Sequence, residues 1–334
     1  MSYKKGTVVG VALMSIVLVG CGSDPVASSG GGESSTDREV TVTRCGEDVT
    51  YRGTPTKITA SAVGLTDTLF DMGLEDSVVA VGSTAQGDPA PEYQDKFDSL
   101  TKLGTEQFGT REQVLSSGTD LVYAENSTWP FDPAKDEATV EDLEKAGIGV
   151  YIANQGCGGW GGSFDGLYTD VTNLGKITNH ESKATDLVSS MKDRVSKAQR
   201  QVAGNNAKVA ILGFDPSGTD LVAIGPKYTQ GEMLTQLGVH NVFDDLDEAY
   251  SLVNPESIID RNPDIIFVGV AHMEDEGAKA TAAKEMQDKL RETTAGRNAQ
   301  IYAIDDMGGQ PGSTRAIDQI EFMAQNIADA KVES

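Results

Sequence analysis

The sequence is short of positive charge and of histidine, and each shortage excludes a class of function. Its 334 residues carry 27 lysines and arginines against 51 aspartates and glutamates, a formal net charge of -24. A surface of this sign repels nucleic acids and anionic membranes, so we expect no nucleic-acid partner. The three histidines, His180, His240 and His272, are too widely separated for a zinc-ligand spacing, and we expect no metal site.

The sequence also lacks the motifs of common exported and nucleotide-dependent enzymes. No G-x-S-x-G occurs, and the pair His180-Glu181 lacks the second histidine of H-E-x-x-H. Residues 156–161 fit G-x-G-x-x-G in form, but a tryptophan inside that loop would crowd a pyrophosphate. We therefore expect neither enzymatic activity nor a cofactor. An exported hydrolase that uses Glu106 and Glu125 for acid–base catalysis stays open as the alternative.

The N-terminus has the pattern of an export signal. Two lysines precede an apolar run over 7–19, which is too short to span a bilayer in the mature protein. The run ends in the motif LVGC at Cys21, which resembles the lipobox of bacterial lipoproteins, in which the cysteine becomes the acylated N-terminus. We predict a signal peptide over 1–20 and lipidation of Cys21. The protein is then expected on the outer face of the cell membrane.

A glycine- and serine-rich stretch follows over 21–38 and has nothing that packs, so we predict a flexible tether. Further along, a long amphipathic helix is predicted over 178–204. Thr178 and Glu181 have the spacing of a capping box at its start. The apolar residues of this segment form one helical stripe: Ala184, Leu187, Val188, Met191, Val195, Ala198 and Val202. Because its other face is polar, we interpret the helix as a connection between two lobes.

Short β-branched runs alternate with helical segments on both sides of this helix. Predicted strands lie at 57–63, 77–81, 119–123, 149–153, 208–212, 221–224, 264–270 and 300–304. Predicted helices lie at 66–72, 111–116, 140–146, 163–174, 230–237, 256–261, 279–291 and 315–330. This order predicts an α/β protein of two lobes with mainly parallel sheets, over 39–177 and 205–334.

Two segments of the first half recur in the second half in the same order. Residues 112–123 (EQVLSSGTDLVY) match 256–267 (ESIIDRNPDIIF) in residue type at most places, and the glutamate lies eight residues before the aspartate in both. Residues 68–74 similarly parallel 233–239. The repetition indicates two lobes of one design.

Ligands of open α/β sheets bind beyond the carboxyl ends of the strands, and ligands of two-lobed proteins bind between the lobes. The loops that follow the predicted strands therefore supply the candidate ligand-binding residues. They are Thr84, Gln86, Glu106, Glu125, Asn126, Trp129, Gln155, Trp160, Lys227, Tyr228, His272 and Met307. Both tryptophans of the chain fall in this set, and neither lies in a pattern typical of a core strand.

Two further cysteines are candidates for a disulfide. If Cys21 carries lipid, Cys45 and Cys157 remain in an oxidising environment. A bridge between them closes a loop of about 110 residues, which contributes up to about 4–5 kcal/mol by the chain-entropy estimate. We predict this disulfide, with two separate thiols as the alternative.

An ordered series of short motifs resembles one family. The motifs are LEDSVVAVG at 74–82, DLV at 120–122, LEKAGIGV at 143–150, LGKIT at 174–178, GVHNVF at 238–243 and RNPD at 261–264. Over residues 40–330 the chain resembles the substrate-binding lipoproteins of bacterial ABC importers for ferric siderophores, haem and cobalamin. The contexts of Cys45 and Cys157 resemble an actinobacterial branch. The resemblance implies two lobes bridged by one helix, an ABC permease with its ATPase as partners, and a monomer that captures an iron chelate.

The resemblance also assigns roles to single residues. Glu112 and Glu256 resemble a pair of glutamates, one on each lobe, that dock on arginines of the permease. The positions of Glu106 and Glu125 resemble those of ligand-facing aromatic residues in cobalamin binders, so acidic groups there argue against a cobalamin-type pocket.

The ligand class rests on the family alone. A siderophore with carboxylates or catecholates calls for arginine or lysine contacts, and only Lys227 lies in a candidate loop. We expect a ferric siderophore, while haem or corrinoid binding by the same scaffold stays open. For haem, His272 or Tyr228 would be the axial ligand.

Overall fold

A small hairpin precedes the first lobe. The computed structural model describes residues 38–85, 87–157, 161–214, 220–271 and 275–332. The hairpin consists of β1 (Glu39–Arg44) and β2 (Glu47–Arg52), which pair antiparallel. Its turn is formed by Cys45 and Gly46, both with positive φ. The predicted lipidation site Cys21 lies outside the described residues.

The first lobe is built on a parallel sheet. Its strands are β3 (Ile58–Ala62), β4 (Val78–Ser83), β5 (Thr101–Lys102), β6 (Leu121–Ala124) and β7 (Gly149–Ile152). They are arranged in the order β5-β4-β3-β6-β7, and every pair is parallel. All residues of β3 and β6 are buried, as expected for strands covered on both faces. The helices of this lobe are α1 (Val63–Asp71), α2 (Gln94–Asp98), α3 (Arg111–Ser116), α4 (Val140–Lys145) and α5 (Phe164–Thr178).

The predicted connecting helix is α6 (Glu181–Gln201), and its predicted start was wrong. Thr178 does not cap this helix; it ends α5, and its hydroxyl donates to the Leu174 carbonyl at 2.7 Å. Asn179, with φ at 62°, ends α5 in the left-handed region. A new helix begins after His180, so the segment over 178–204 is two helices that meet at a sharp corner rather than one.

Arg38 holds the two helices at this corner. Its guanidinium donates to the carbonyls of Lys176 and Ile177 at 2.5 and 3.1 Å, near the end of α5. It also pairs with Glu181, the first residue of α6, at 3.3 Å. A cation at a helix C-terminus satisfies carbonyls that have no partner within the helix.

The second lobe repeats the plan of the first with an antiparallel edge. Its strands are β8 (Lys208–Phe214), β9 (Leu221–Ile224), β10 (His240–Asn241), β11 (Tyr250–Val253), β12 (Ile265–Val270) and β13 (Ile301–Asp305). The order is β11-β9-β8-β12-β13, with β10 beside β8. Within the described part of this lobe, only the pairs that involve β9 are antiparallel. The helices are α7 (Thr229–Leu237), α8 (Pro255–Arg261), α9 (Glu276–Lys289), α10 (Thr294–Asn298) and α11 (Arg315–Asp329).

Helix α6 contacts both lobes. Its apolar stripe is buried, with Ala184, Met191 and Val195 at most 5% exposed. Arg194 on α6 pairs with two carboxylates of α11 at 2.5 and 2.6 Å. The largest hydrophobic core includes residues of the first sheet, of α5, α6 and α11, and of the second sheet. The lobes therefore share one continuous core.

The predicted fold class, two α/β lobes with mainly parallel sheets and a long connecting helix, is confirmed. The lobe boundaries themselves stay predictions. No helix in the described ranges combines the length and the apolar character that a membrane span requires.

Candidate functional site

The two lobes touch where their parallel strands end, through a segment of the second lobe between β13 and α11. We call residues 310–315 the interlobe clasp. Within it, the Gly312 carbonyl accepts hydrogen bonds from the hydroxyls of Tyr123 and Thr68, both at 2.9 Å. The Gly312 amide donates to Gln155 Oε1 at 2.8 Å, and the Thr314 amide donates to Thr68 Oγ1 at 3.0 Å. Because these partners are buried, the contacts fix the second lobe on the first.

Gly312 has no room for a side chain. Its φ is +81°, in the left-handed region. A Cβ there would lie 2.3 Å from the Tyr123 hydroxyl oxygen and 3.0 Å from the Ala153 Cβ. The clasp therefore requires glycine at this position.

Arg315 completes the clasp through a cross-lobe ion pair. Its Nε lies 2.5 Å from Asp67 on α1, and its Nη1 lies 2.8 Å from Asp305 at the end of β13. Its Nη2 donates to the Asp88 carbonyl at 2.6 Å. The guanidinium thus joins groups of both lobes, and its charge is already matched by two carboxylates.

Four of the predicted ligand-binding residues come together at this junction. Glu125 and Asn126 follow β6, and the backbone of Gly156 packs directly against both. Gln155 precedes that glycine, and its amide is already occupied by Gly312 and by the Ser163 carbonyl. Tyr228 lies in the second lobe and forms an isolated β-bridge with Gly161 of the first.

Glu125 is the most unusual of these residues. Its side chain is 0% exposed, and neither carboxylate oxygen has a hydrogen-bond partner among the described residues. Its backbone amide donates to Ser61 Oγ at 3.1 Å, which fixes the residue in place. Burial raises the pKa of the Glu125 carboxyl from 4.5 to about 8, because the charged form loses its hydration.

Asn126 is also incompletely satisfied. Its Oδ1 accepts from the amides of Thr128 and Trp129 at 2.9 and 2.7 Å and orders the turn after β6. Its Nδ2 is buried and has no partner in the described chain. Unsatisfied buried donors and acceptors are rare in native proteins and commonly mark a site that another molecule completes.

The phenol of Tyr228 in the second lobe lies near Glu125, and the carboxyl of Asp306 lies near that phenol. Burial raises the pKa of the Tyr228 phenol, and the carboxylates of Asp306 and Glu125 raise it further. Asp306 still reaches solvent, but the dense protein around it, with a smaller contribution from Asp305, raises its pKa to about 6. The junction is therefore rich in groups that accept hydrogen bonds or carry negative charge.

A second buried carboxyl positions the loop that follows β7. Asp170 accepts hydrogen bonds from the Tyr151 hydroxyl and from the backbone and side chain of Asn154, all at 2.8 Å. Burial raises the pKa of Asp170 to about 7 despite these donors. The network holds the one-turn helix Asn154–Gly156 against Glu125.

A disulfide fixes the other end of the same loop. The predicted bridge between Cys45 and Cys157 is confirmed. It ties the loop to the tip of the β1–β2 hairpin, which also contacts β7 through the Tyr51 hydroxyl and the Val150 carbonyl at 2.7 Å.

The remaining predicted ligand-binding residues do not converge on Glu125 in the described structure. Thr84 bonds to the Gly104 carbonyl, Glu106 is exposed, and Trp129 begins a one-turn helix and is partly exposed. The Lys227 ammonium contacts the Asp247 carbonyl. Met307 lies in the one-turn helix Asp306–Gly309. Gln86, Trp160 and His272 lie outside the described residues, and the ligand-binding roles of all twelve candidates stay predictions.

A cavity of about 270 Å³ opens beside the junction. It lies between the loop after β4, which includes Asp88 and Glu92, and the side of α11 that carries Asp318 and Phe322. Arg315 is its one cation among the described lining residues. The cavity is smaller than typical ligand pockets of about 300–1,000 Å³, so the lobes are closely apposed here.

The two predicted docking glutamates occupy equivalent positions in the two lobes. Glu112 lies in the first turn of α3, which leads into β6, and Glu256 lies in the first turn of α8, which leads into β12. Both are exposed, and neither forms an ion pair with another described residue. Since each helix runs antiparallel to the strand that follows, both side chains lie at the edge of the sheet that faces the junction.

The interlobe clasp was missed from the sequence. The glycine- and proline-rich run after the last strand was the available signal, because such runs mark loops that approach other backbone closely. The cross-lobe pair of Arg315 and Asp67 had no signal, because the two residues lie far apart in the chain.

Comparisons with known proteins agree with this architecture. The ABC transporter substrate-binding lipoprotein YvrC of Bacillus subtilis is 25% identical over 98% of both chains. A vitamin B12-binding protein of Vibrio campbellii is 23% identical over 67% of this chain and 74% of its own. The crystal structure of an ABC-type Fe3+-hydroxamate transport system protein from Saccharomonospora viridis is 25% identical, with a TM-score of 0.70 over 86% of this chain and 98% of that one.

These relatives confirm the interpretation as a solute-binding protein of an ABC importer and not an enzyme. Such a protein works outside the cytoplasm with a permease and its ATPase. The family description that matches residues 60–307, well over half of the sequence, is that of periplasmic binding proteins. The chain belongs to the periplasmic binding protein family.

Proposed function

We propose that this protein is a lipid-anchored receptor that captures an iron chelate of the ferric siderophore class between its lobes and delivers it to an ABC permease. The observation that carries the proposal is the buried, unsatisfied pair Glu125 and Asn126 at the junction of the two sheets. Similarity to the Saccharomonospora viridis Fe3+-hydroxamate protein supports the siderophore class. The lipobox motif at Cys21 supports the anchor.

Capture needs no bond making or breaking. The continuous core through α5, α6 and α11 limits how far the lobes can part, so closure on the ligand is a small movement. The lipid anchor keeps the loaded receptor at high effective concentration beside the permease.

The ligand class can be tested by thermal shift. We expect one of a panel of ferric hydroxamates, ferric catecholates, haem and cyanocobalamin to raise the unfolding midpoint, because a ligand that binds only the folded state stabilises it by mass action. The metal-free form of the same siderophore is the control. A shift produced by haem or cyanocobalamin alone would assign the ligand to those classes instead.

Docking can be tested separately from capture. The double variant Glu112→Ala with Glu256→Ala should bind the chelate as the wild type does and lose uptake in cells, because rim charges govern association with a partner. Glu141→Ala with Glu285→Ala removes one exposed helix glutamate from each lobe and serves as the control. Normal uptake by the first pair would reject the docking assignment.

A further inference from the structure

The buried carboxyl of Glu125 lacks the partner that would normally accompany it. An ionised carboxylate buried without a cation or hydrogen-bond donor is strongly unfavourable, so native proteins rarely keep one without a reason. Replacement by a neutral or apolar residue would remove this penalty. A carboxyl at this position therefore calls for a partner that the contacts of the described residues do not supply.

Two cations of the junction region, Arg315 and Lys227, have other partners. Arg315 is bound by the carboxylates of Asp67 and Asp305 and by the Asp88 carbonyl. Lys227, the cation predicted to face the ligand, contacts the Asp247 carbonyl. Within the described residues no cation contacts the Glu125 carboxyl, and a cationic group of a ligand would take that place.

We propose that Glu125 binds a protonated amine of the ligand, so that the chelate recognised is one that carries a cationic end. This inference rests on the proposed function and specifies the kind of siderophore. The amine would replace the missing donor of the Glu125 carboxylate, and Tyr228 and Asp306 would approach it from the second lobe. A ligand held by groups of both lobes favours the closed arrangement.

The same charges disfavour the opposite class of ligand. A tris-catecholate ferric complex is a trianion, and it would meet Asp306 and the carboxylates beside the cavity without a free cation among the described residues. Like charges at short range in a site of low dielectric repel strongly. A chelate with a neutral iron centre and a cationic arm fits these groups better.

Access to Glu125 requires a local movement. The Glu125 side chain is fully buried, its backbone packs against Gly156, and it lies near Tyr228, which pairs with Gly161. In the proposed binding, this bridge separates to admit the amine.

A matched pair of ligands tests the proposal. We would titrate the full chain with a linear ferric trihydroxamate that has a free terminal primary amine, and with the same chelate after acetylation of that amine. Quenching of tryptophan fluorescence reports binding. The wild type should prefer the free amine by about 30-fold or more, the scale of loss when one partner of a buried charge pair is removed.

Glu125→Gln should remove this preference, so that the variant binds the two chelates with similar affinity. Glu137→Gln is the burial-matched control, because Glu137 is 2% exposed in the same lobe and bonds locally to the Asp132 amide at 2.9 Å. Circular dichroism would verify that both variants fold.

The outcomes test the role of Glu125 separately from the class of the ligand. Equal binding of both chelates by the wild type, or an unchanged preference in Glu125→Gln, would overturn the role of Glu125 and leave the siderophore class standing. Failure of both chelates to bind would overturn the ferric-hydroxamate form of the proposed function, and the inference with it.

Discussion

At the scale of single residues, Glu125 opposes folding at neutral pH. Its pKa is 4.5 as an ordinary glutamate and about 8 in the folded protein. Between these values the folded state holds a proton that the unfolded chain has lost. The free energy of unfolding therefore decreases as the pH rises through this window. Above pH 8 the carboxyl is ionised in both states, and the free energy of unfolding no longer changes with pH through this group.

Glu125→Gln should consequently stabilise the protein. At pH 7 we expect a gain of about 3 kcal/mol, because glutamine pays no cost of taking up a proton on folding. At pH 5 the gain should fall below about 1 kcal/mol. Urea unfolding of wild type and variant at the two pH values measures both. A variant less stable than the wild type at pH 7 would show that Glu125 is paired in solution.

Ligand binding should depend on pH in the opposite sense. An ammonium group favours the ionised form of Glu125 and lowers the pKa of that carboxyl on binding, so binding releases a proton. The affinity for the amine-bearing chelate should rise from pH 6 to pH 8 and then level off. Tyr228 lies near Glu125 and stays neutral in this range; Asp306 lies near Tyr228, ionises near pH 6 and acts in the same direction. Titrations with the acetylated chelate should be nearly flat.

The sequence predicted the location of Glu125 but not its state. Its place after a strand of a parallel sheet was enough to select it, because ligands bind at the carboxyl ends of such strands. Burial, and the absence of a partner, depend on the turn Asn154–Gly156 and on Tyr228, which lie far along the chain. No local pattern contains that information.

At the scale of elements, the interlobe clasp depends on one glycine. Gly312→Ala should destabilise the protein by about 2–4 kcal/mol, since it adds backbone strain at positive φ to a clash with Tyr123. Gly204→Ala is the matched control, because Gly204 has the same φ of +81° with nothing within 4 Å of a Cβ. It should cost only about 1–2 kcal/mol of backbone strain. Equal losses in urea unfolding would mean that the lobes do not meet at Gly312 in solution.

The disulfide also connects elements, because it ties the loop after β7 to the β1–β2 hairpin. Removal of Cys45 and Cys157 together, as serines, frees a loop whose ends are 112 residues apart and should cost about 4–5 kcal/mol. We also expect weaker chelate binding, because the bridge anchors the loop that covers Glu125. Urea unfolding and fluorescence titration with and without a reductant measure the two effects. Unchanged affinity after reduction would show that the Asp170 network alone positions the loop.

Element prediction succeeded where periodicity was long and failed where it was short. All eight predicted strands and eight predicted helices have counterparts, whereas the two-residue strands β5 and β10, the four-residue edge strand β11 and the five-residue helices α2 and α10 were not predicted. The start of α6 was wrong for a different reason. The spacing of Thr178 and Glu181 imitates a capping box, but α5 extends to Thr178 because Arg38 caps its carbonyls.

At the scale of the whole molecule, stability should be greater in mild acid than at neutral pH. Burial raises the pKa of Glu125 to about 8, of Asp170 to about 7 and of Asp306 to about 6. Each carboxyl therefore lowers the free energy of unfolding as the pH rises above the pKa that it has in the unfolded chain. Carboxyls with lowered pKa values, such as Asp142 with a pKa of about 2, change the free energy of unfolding only at more acidic pH. The net charge of -24 adds repulsion.

We therefore expect the midpoint temperature of unfolding to decrease as the pH is raised from 5 to 8 at constant ionic strength. Differential scanning calorimetry at four pH values would measure it. Glu125→Gln should flatten the upper part of the profile. A midpoint that rises toward pH 8 would contradict the assignment of raised pKa values at the junction.

The two-lobed plan was predictable because the lobes repeat each other in sequence, as 112–123 and 256–267 show. The continuity of the core was not, because it depends on how α5, α6 and α11 pack together. Hydrophobic periodicity identifies which face of a helix is buried but not which element covers it.

Arg38 gives this arrangement a mechanical consequence. The chain enters the folded body there, and the guanidinium grips the corner between α5 and α6 rather than any loop of the ligand junction. A pull on the chain at Arg38 would therefore be transmitted to this corner and not to the loops around Glu125.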